Sequence, residues 1–326
     1  MRIVHCAAAG FESARRLASD EAHGHSFTVS AHAATGLASL RARLHEVTQA
    51  LDYRDLNQVL PSPDDAALAD WIAARLPMAA DLVLRSAPDR GVERDADGTR
   101  RVWLKSGFEA AHQLPHVPAG HQCGRLHGHG FGVRLLADAD RQDIAALQAA
   151  WAPLHAQLNH AYLNALPGLD NPTSENLAAW LWQRLGAVVP GLCAVDVFET
   201  ATAGSRYDGH RFRIWKEMRF EAAVPFDGHG RYTGHSYLVR LHLAGQVDAR
   251  GWVRDFGEVK ARFKPCYARL DHHPLDQLPG IGATDCAGIA GWIAAQFAAG
   301  VPELCRVDVL ENDHDGAECR LAGEGA

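Results

Sequence analysis

Three histidines and one cysteine in a short segment are the residues of this chain best suited to chemistry. His127 and His129 lie two apart in the sequence LHGHGF, and Cys123 comes four residues before His127. If this segment is a β-strand, both imidazoles point to the same face. An upstream run ending at His112 can pair antiparallel with it and bring a third imidazole across from the pair.

Three converging imidazoles predict a catalytic zinc site. Zinc binds imidazole nitrogen well, and three protein ligands leave one coordination position for water or a substrate hydroxyl. The alternative is a histidine-rich surface loop, because a chain with 19 histidines contains such pairs by chance. A repeat in the sequence favours the metal site.

The segment around Phe108 has echoes around Phe11 and Phe220. Each echo is followed by a helical stretch, a short motif, a second helical stretch and a closing strand. The short motifs are LDYRDL from Leu51, LNHAYL from Leu158 and LDHHPL from Leu270. Each repeat therefore predicts the order ββααβ, with a further strand leading into the next repeat.

Polar, turn-rich segments at residues 88–100 and 203–211 separate the repeats, and each contains an Asp-Gly pair typical of a hairpin. We predict three modules over residues 1–98, 99–210 and 211–326. A hairpin at each boundary would pair the last strand of one module with the first strand of the next. Such pairing removes exposed sheet edges, so we expect a closed barrel.

Composition favours a small-molecule enzyme. The formal net charge is −7, and no run of Lys or Arg indicates nucleic acid or an anionic membrane as the partner. The longest apolar stretch near the N-terminus is too short for a signal or spanning helix. Seven scattered cysteines without Cys-x-x-Cys spacing suit a reducing compartment, so we expect a cytoplasmic protein.

Residues 102–207 resemble the bacterial 6-carboxytetrahydropterin synthases of queuosine biosynthesis and the related 6-pyruvoyltetrahydropterin synthases. The resemblance is carried by FEAAH at 108–112, Cys-x-x-x-His-Gly-His at 123–129, NPTSEN at 171–176 and a strand that ends in Glu199-Thr200. Three residues between the cysteine and His-Gly-His are similar to the carboxytetrahydropterin branch, whereas the pyruvoyl branch usually has five.

The resemblance implies an α+β architecture, the tunnelling fold (T-fold). Three tandem ββααββ-like modules would form a pseudo-trimeric antiparallel barrel of twelve strands, with the helices outside. Family members stack two such barrels, so we expect a homodimer of this single-chain pseudo-trimer.

The resemblance also implies a zinc-dependent lyase. The expected reaction converts 7,8-dihydroneopterin triphosphate into 6-carboxy-5,6,7,8-tetrahydropterin, with release of acetaldehyde and triphosphate. Two alternatives remain open: triphosphate elimination of the 6-pyruvoyltetrahydropterin synthase type, and a non-catalytic pterin- or purine-binding protein.

The resemblance implies one Zn²⁺ per chain, held by His112, His127 and His129. The zinc would bind the substrate hydroxyls as a Lewis acid. Cys123 would act as a thiolate base if its pKa is depressed. A buried, inert cysteine is the alternative role for Cys123.

Substrate contacts follow from the same resemblance. Glu199 corresponds to the carboxylate that anchors the pterin ring in bidentate fashion, and Glu311 is its counterpart in the third module. Thr173 and Ser174 are weaker candidates, because helix capping explains them without a ligand.

The first and third modules are degraded copies of this site. Residues that differ from the pattern, or survive from it, are Arg15, Ser19, His23, His25 and Arg85 in the first module, and Val224, His229, Thr233 and His235 in the third. Arginine has no lone pair for zinc, and one imidazole holds zinc weakly. We therefore expect both copies to be structural.

The family's Asp-His pair reaches from one subunit into the neighbour's zinc pocket. Its counterparts here are Asp52-Tyr53, Asn159-His160 and Asp271-His272. An amide cannot orient a protonated imidazole as a carboxylate does. We therefore expect one active site per chain, between the second and third modules, with Asp271, His272 and His160 as the acid-base candidates.

Overall fold

The computed structural model describes residues 1–17, 21–226 and 230–322. The same order of elements occurs three times, and we call the three sets modules one, two and three. Module one comprises β1 (Arg2–Arg15), β2 (His23–Ala33), α1 (Leu37–Gln49), β3 (Arg54–Asp55), α2 (Asp65–Ala73), β4 (Asp81–Ala87) and β5 (Arg90–Arg94).

Module two comprises β6 (Arg100–His112), β7 (His127–Asp138), α3 (Ile144–Leu158), β8 (Ala161–Tyr162), α4 (Ser174–Gly186), β9 (Leu192–Thr200) and β10 (Ala203–Tyr207). Module three comprises β11 (Phe212–Pro225), β12 (Tyr232–Gly245), α5 (Phe256–Leu270), β13 (His273–Pro274), α6 (Cys286–Phe297), β14 (Leu304–Leu310) and β15 (Gly316–Arg320). Domain boundaries at 98/99 and 210/211 stay predictions.

Twelve strands close into one antiparallel barrel. Within module two the order is β6-β7-β9-β10, and the other modules repeat it. The modules join through the pairs β5–β6, β10–β11 and β15–β1. The predicted T-fold barrel is confirmed, and closure leaves each module without an unpaired long edge.

The polar segments between modules contain strands that the sequence pattern predicts only loosely. β5 and β10 lie inside these segments. Their sequences resemble polar loops because the inward side of the barrel is charged rather than apolar. Asp196 on β9, for example, bonds Arg134 at 2.8 Å and Arg206 at 2.6 Å. Burial alone would raise the pKa of Asp196, but the two guanidinium groups outweigh it and hold that pKa at about 2.

The helices cover the outer face of the barrel and form a separate apolar core with each module's strands. A stacked aromatic pair recurs in all three cores. Its ring centroids are 4.7 Å apart for Phe11–Phe27, 5.1 Å for Phe108–Phe131 and 5.1 Å for Phe220–Tyr237. These pairs join the first two strands of each module on the face that the helices bury.

One tight corner also recurs after the first helix of each module. Tyr53, His160 and His272 have φ angles of 50°, 63° and 59°, and their side chains are exposed by 85%, 74% and 76%. Each donates its backbone N–H to a strand carbonyl. The corner therefore fixes the position of the predicted Asp-His pairs on the surface of the chain. Among the described residues, no helix is long and apolar enough to cross a membrane.

Candidate metal centre and active site

Antiparallel pairing of β6 with β7 sets the three histidines of module two side by side. His112 lies directly opposite His127, and Ala110 lies opposite His129. One nitrogen from each ring falls within 4.8 Å of the others. The strand pattern thus places all three imidazoles on one face.

The hydrogen bonds of these rings suit a metal site. Each Nδ1 donates to a backbone carbonyl: His112 to Pro172 at 3.1 Å, His127 to Arg125 at 2.8 Å and His129 to Gly130 at 3.1 Å. Among the described residues, Nε2 of His112 is buried without a hydrogen-bond partner. The Nε2 atom of His112 is thus in the state expected of a metal-binding histidine whose other nitrogen is fixed by a carbonyl.

Burial favours the neutral form of two of the rings, His112 and His129, which is the form that binds a metal. Burial, with a smaller effect of the other two rings, lowers the pKa of His112 to about 4. Burial also lowers the pKa of His129. The residues present thus fit the zinc that the sequence predicts.

Cys123 lies in a short 3-10 turn, Gln122–Gly124, in the loop that joins β6 to β7. His121 caps this turn by accepting the N–H of Cys123 at 3.2 Å. Burial raises the pKa of the Cys123 thiol, and the carboxylates Glu199 and Asp255 raise it further. The protein groups alone favour the thiol, so a thiolate there needs a nearby cation.

The N-terminus of α4 forms one wall of the site. The sequence permits Ser174 as the cap, but Thr173 is the cap residue and accepts the N–H of Asn176 at 3.1 Å. Ser174, the first helical residue, is 1% exposed and donates to Glu175 at 3.0 Å. Thr173 also donates to Gly251, so its hydroxyl joins modules two and three.

Glu199 lies at the end of β9, facing this wall. Burial raises its pKa, and so does Asp255, while His127, Lys216 and a hydrogen bond from Ser174 lower it. Burial raises the pKa of the neighbouring Glu175 to about 7. The site therefore combines three imidazoles, a thiol and two largely buried carboxyl groups.

Module three completes the site through residues 246–255, which we call the interface loop. Val253 donates its N–H to Glu175 at 3.0 Å, and Gly251 has a φ of 81°. A Cβ on Gly251 would lie 2.5 Å from Nδ2 of Asn176, so only glycine permits this close approach to α4.

The register locates the degraded copies. Arg15 and His23 take the places of His112 and His127 in module one. Val224 and Thr233 take those places in module three, as expected. Ser19 and His229, predicted at the cysteine position, lie outside the described residues.

The prediction that Arg85 is the module-one counterpart of Glu199 is wrong. Arg85 pairs with Thr28 as Phe198 pairs with Gly132, so the residue equivalent to Glu199 is Ser86. The strand endings Arg85-Ser86 and Glu199-Thr200 each place a hydroxyl residue after a long charged one, which invites a shift of one residue that the pairing with β2 corrects.

Glu311 has a different environment from its counterpart Glu199. Arg41 on α1 bonds Glu311 and Asp315, both at 2.8 Å. The carboxylate is already neutralised by a cation from module one, and only His235 of the three ligand positions is a histidine.

Within the described part of the chain, Asp271 and His272 make no hydrogen bond or ion pair with the three imidazoles, and their catalytic role stays a prediction. Among the described residues their hydrogen bonds and ion pairs stay in module three: Asp271 accepts the N–H of Glu221 at 3.0 Å and lies 2.9 Å from Nδ1 of His272. Asn159 accepts the N–H of Glu109 in the same way at 3.0 Å. An amide oxygen thus satisfies the structural need as well as a carboxylate.

His160 has a carboxylate neighbour other than residue 159. Its Nε2 lies 3.8 Å from Glu109, and both side chains are more than 70% exposed. The imidazole therefore projects into solvent at the corner after α3.

A second cluster of metal-binding types, Cys6, His32 and Glu318, lies on the inner side of the barrel. Glu318 is already paired with Arg306 at 2.7 Å and Arg320 at 2.8 Å. Two guanidinium groups on its only carboxylate disfavour a cation there.

Sequence reasoning missed His121, Lys216 and Asp255, and it gave Glu175 only as a weak candidate that a place in the first helical turn explains. The available signal for Asp255 was the length of the interface loop. Ten residues separate β12 from α5, whereas three and five residues separate the equivalent elements of modules one and two. The contact of this loop with α4 could not be read from the chain.

A closed barrel of repeated two-helix, four-strand modules defines the T-fold class, and the three imidazoles of module two form a candidate metal centre within it. A family model described as 6-pyruvoyl tetrahydropterin synthase matches residues 101–210 and 213–322. The chain therefore belongs to the 6-pyruvoyl tetrahydropterin synthase family, and it is a lyase of this kind, as predicted.

Three similar proteins each match about a third of this chain. A Synechocystis sp. protein named 6-carboxy-5,6,7,8-tetrahydropterin synthase is 43% identical over 119 residues, which are 32% of this chain and 91% of that protein. A Pyrococcus furiosus dihydroneopterin monophosphate aldolase is 28% identical over 28% of this chain and 79% of its own length. The solved Caenorhabditis elegans 6-pyruvoyl tetrahydropterin synthase is 21% identical with a TM-score of 0.31, covering 33% of this chain and 94% of that one.

Proposed function

We propose that this chain is a zinc-dependent lyase that converts 7,8-dihydroneopterin triphosphate into 6-carboxy-5,6,7,8-tetrahydropterin, releasing acetaldehyde and triphosphate. The observation that carries the proposal is the cluster of three imidazoles, each with its Nδ1 bonded to a backbone carbonyl. Three residues separate Cys123 from His127, which is the spacing of the carboxytetrahydropterin branch.

His112, His127 and His129 would hold the zinc, which when bound would act as a Lewis acid toward the substrate side-chain hydroxyls. Glu199 would accept hydrogen bonds from the 2-amino group and ring N–H of the pterin, and so orient it. Burial of Glu199 excludes competing water from this contact.

Cys123 would remove a proton from the substrate side chain. Its thiol carries a raised pKa in the surroundings of Glu199 and Asp255, so it takes up this role only when a positive charge lies close by. His160, Asp271 and His272 would serve as proton relay only if a second chain brings them to the pocket, because the imidazoles of His160 and His272 are exposed at the corners.

One zinc per chain follows, since modules one and three lack the full ligand set. We further propose a homodimer of pseudo-trimers acting in the cytoplasm in a queuosine-type pathway. Seven free cysteines are consistent with a reducing compartment.

The decisive experiment supplies zinc-loaded protein with 7,8-dihydroneopterin triphosphate and identifies the products. Acetaldehyde with 6-carboxytetrahydropterin supports the proposal. Triphosphate without acetaldehyde would indicate the pyruvoyl-type elimination instead. Tight pterin binding without turnover would indicate a binding protein, and the matched variant Cys123→Ser separates that outcome from an inactive preparation.

A further inference from the structure

The interface loop brings charged and aromatic side chains of module three beside the cysteine of module two. Its Trp252 ring lies 5.8 Å from the ring of His121, between centroids. At the end of the loop, Oδ2 of Asp255 lies 3.7 Å from Nε2 of His121. His121 is thus held between two residues of the neighbouring module.

The other side of the same imidazole holds the cysteine turn. Nδ1 of His121 accepts the backbone N–H of Cys123 at 3.2 Å. A nitrogen that accepts this bond carries no proton, so the neutral ring carries its proton on Nε2, which faces Asp255. Asp255, 3.7 Å from Nε2 of His121, and the hydrogen bond from Cys123 to Nδ1 therefore place His121 between the carboxylate and the cysteine turn across the module boundary.

Asp255 divides two tasks between its two oxygens. Oδ1 caps helix α5 by accepting the N–H of Glu258 at 2.8 Å, while Oδ2 faces His121. Asp143, the cap of α3, makes the same bond to Ala146 at 2.8 Å and so offers a matched control.

We propose that Asp255 and His121 are positioning residues that hold the Cys123 turn at the zinc site. Module three would then contribute to the site through its interface loop rather than through Asp271 and His272. This inference rests on the proposed role of Cys123 as the reacting thiol. The carboxylate of Asp255 orients the imidazole of His121, and that imidazole holds the backbone of Cys123, which carries the thiol.

Two substitutions isolate this path. Asp255→Asn retains a capping oxygen for α5 but removes the charge that faces His121. His121→Asn retains an acceptor for the N–H of Cys123 but is too short to reach Asp255. Asp143→Asn changes charge and cap in the same way at α3, and a melting curve of each variant checks the fold.

The first measurement needs no substrate. Zinc-loaded protein is treated with iodoacetamide, and the rate at Cys123 is followed by peptide-resolved mass spectrometry. We expect each single variant to speed alkylation by about fivefold, with the double variant no faster than either, as coupled residues behave. Asp143→Asn should leave the rate unchanged.

The second measurement is steady-state kinetics with 7,8-dihydroneopterin triphosphate. Both variants should lower kcat by roughly tenfold with KM within about twofold, because positioning acts on the reacting step. Additive effects in the double variant, or an equal effect of Asp143→Asn, would overturn the inference. Failure of the wild type to react would instead contradict the proposed function, while the alkylation result would still decide whether the pair is coupled to Cys123.

Discussion

Modules one and two build the same site position from different chemistry. His112 in module two directs Nδ1 to the carbonyl of Pro172 at 3.1 Å. In module one Arg15 occupies that place and donates to the equivalent carbonyl, Pro63, at 3.0 Å. The guanidinium also lies 3.4 Å from Nε2 of His25, so a fixed positive charge stands where module two would bind a cation.

The acidic partners are exchanged as well. Module two has Ser174 at the start of its helix and Glu199 at the end of its strand, whereas module one has Asp65 and Ser86. Ser86 donates to Asp65 at 2.6 Å. The comparison teaches that an arginine can fill the position of a histidine of the candidate metal centre and supply a positive charge that a nearby carboxylate balances.

Among the tests of the difference between modules one and two, the largest effect is expected for His112→Ala, which should lose the metal. The purified protein should contain about one zinc per chain, because only module two supplies three ligands. His112→Ala should contain none and show no turnover, whereas His25→Ala and His235→Ala should retain the metal. Elemental analysis decides, and a wild-type value near three would show that the degraded modules bind zinc.

Glu199→Gln should weaken pterin binding by roughly 10- to 100-fold, since a charge-assisted bond becomes a neutral one with a mismatched donor. Glu311→Gln is the matched control and should have little effect, because Arg41 already occupies that carboxylate. Titration calorimetry with a pterin measures both, and equal losses would refute the distinction.

The same carboxylate sets a pH dependence. Burial raises the pKa of Glu199, so its charged form is lost as pH falls through a value above that of an ordinary glutamate. Pterin affinity of the wild type should therefore decline on the acid side of neutrality, and Glu199→Gln should lose that particular decline.

Asp65→Asn should lower stability without changing the zinc content of module two. Arg15 is 5% exposed, and Asp65 neutralises it at 2.6 Å. Leaving a buried charge without its partner costs about 3 kcal/mol or more. Denaturant unfolding measures the loss, and Arg43→Ala, which breaks an exposed pair, is the control with almost no effect.

The smallest effect is expected for Asp271→Asn. An asparagine already accepts the equivalent N–H in module two, so the corner should persist and turnover should fall by less than about threefold. A loss of about 10²-fold with zinc retained, together with a similar loss in His272→Ala, would indicate general acid-base action and a pocket shared between two chains.

Sequence reasoning predicted the repeated architecture because strand and helix periodicities recur with identical order in all three modules. It predicted the grouping of His112, His127 and His129 because two-residue spacing and one antiparallel pairing suffice to bring them together. It misplaced the counterpart of Glu199, since a one-residue shift along a strand leaves the local pattern intact.

The sequence by itself determined the local chemistry: which residue types stand on one strand face, and which modules lack ligands. Only the tertiary structure decided which residues of module three contact module two at the site. Contacts such as Val253 with Glu175 and Asp255 with His121 join residues far apart in the chain, and no local periodicity encodes them. They exist because closing the barrel carries the interface loop of module three onto the α4 helix of module two.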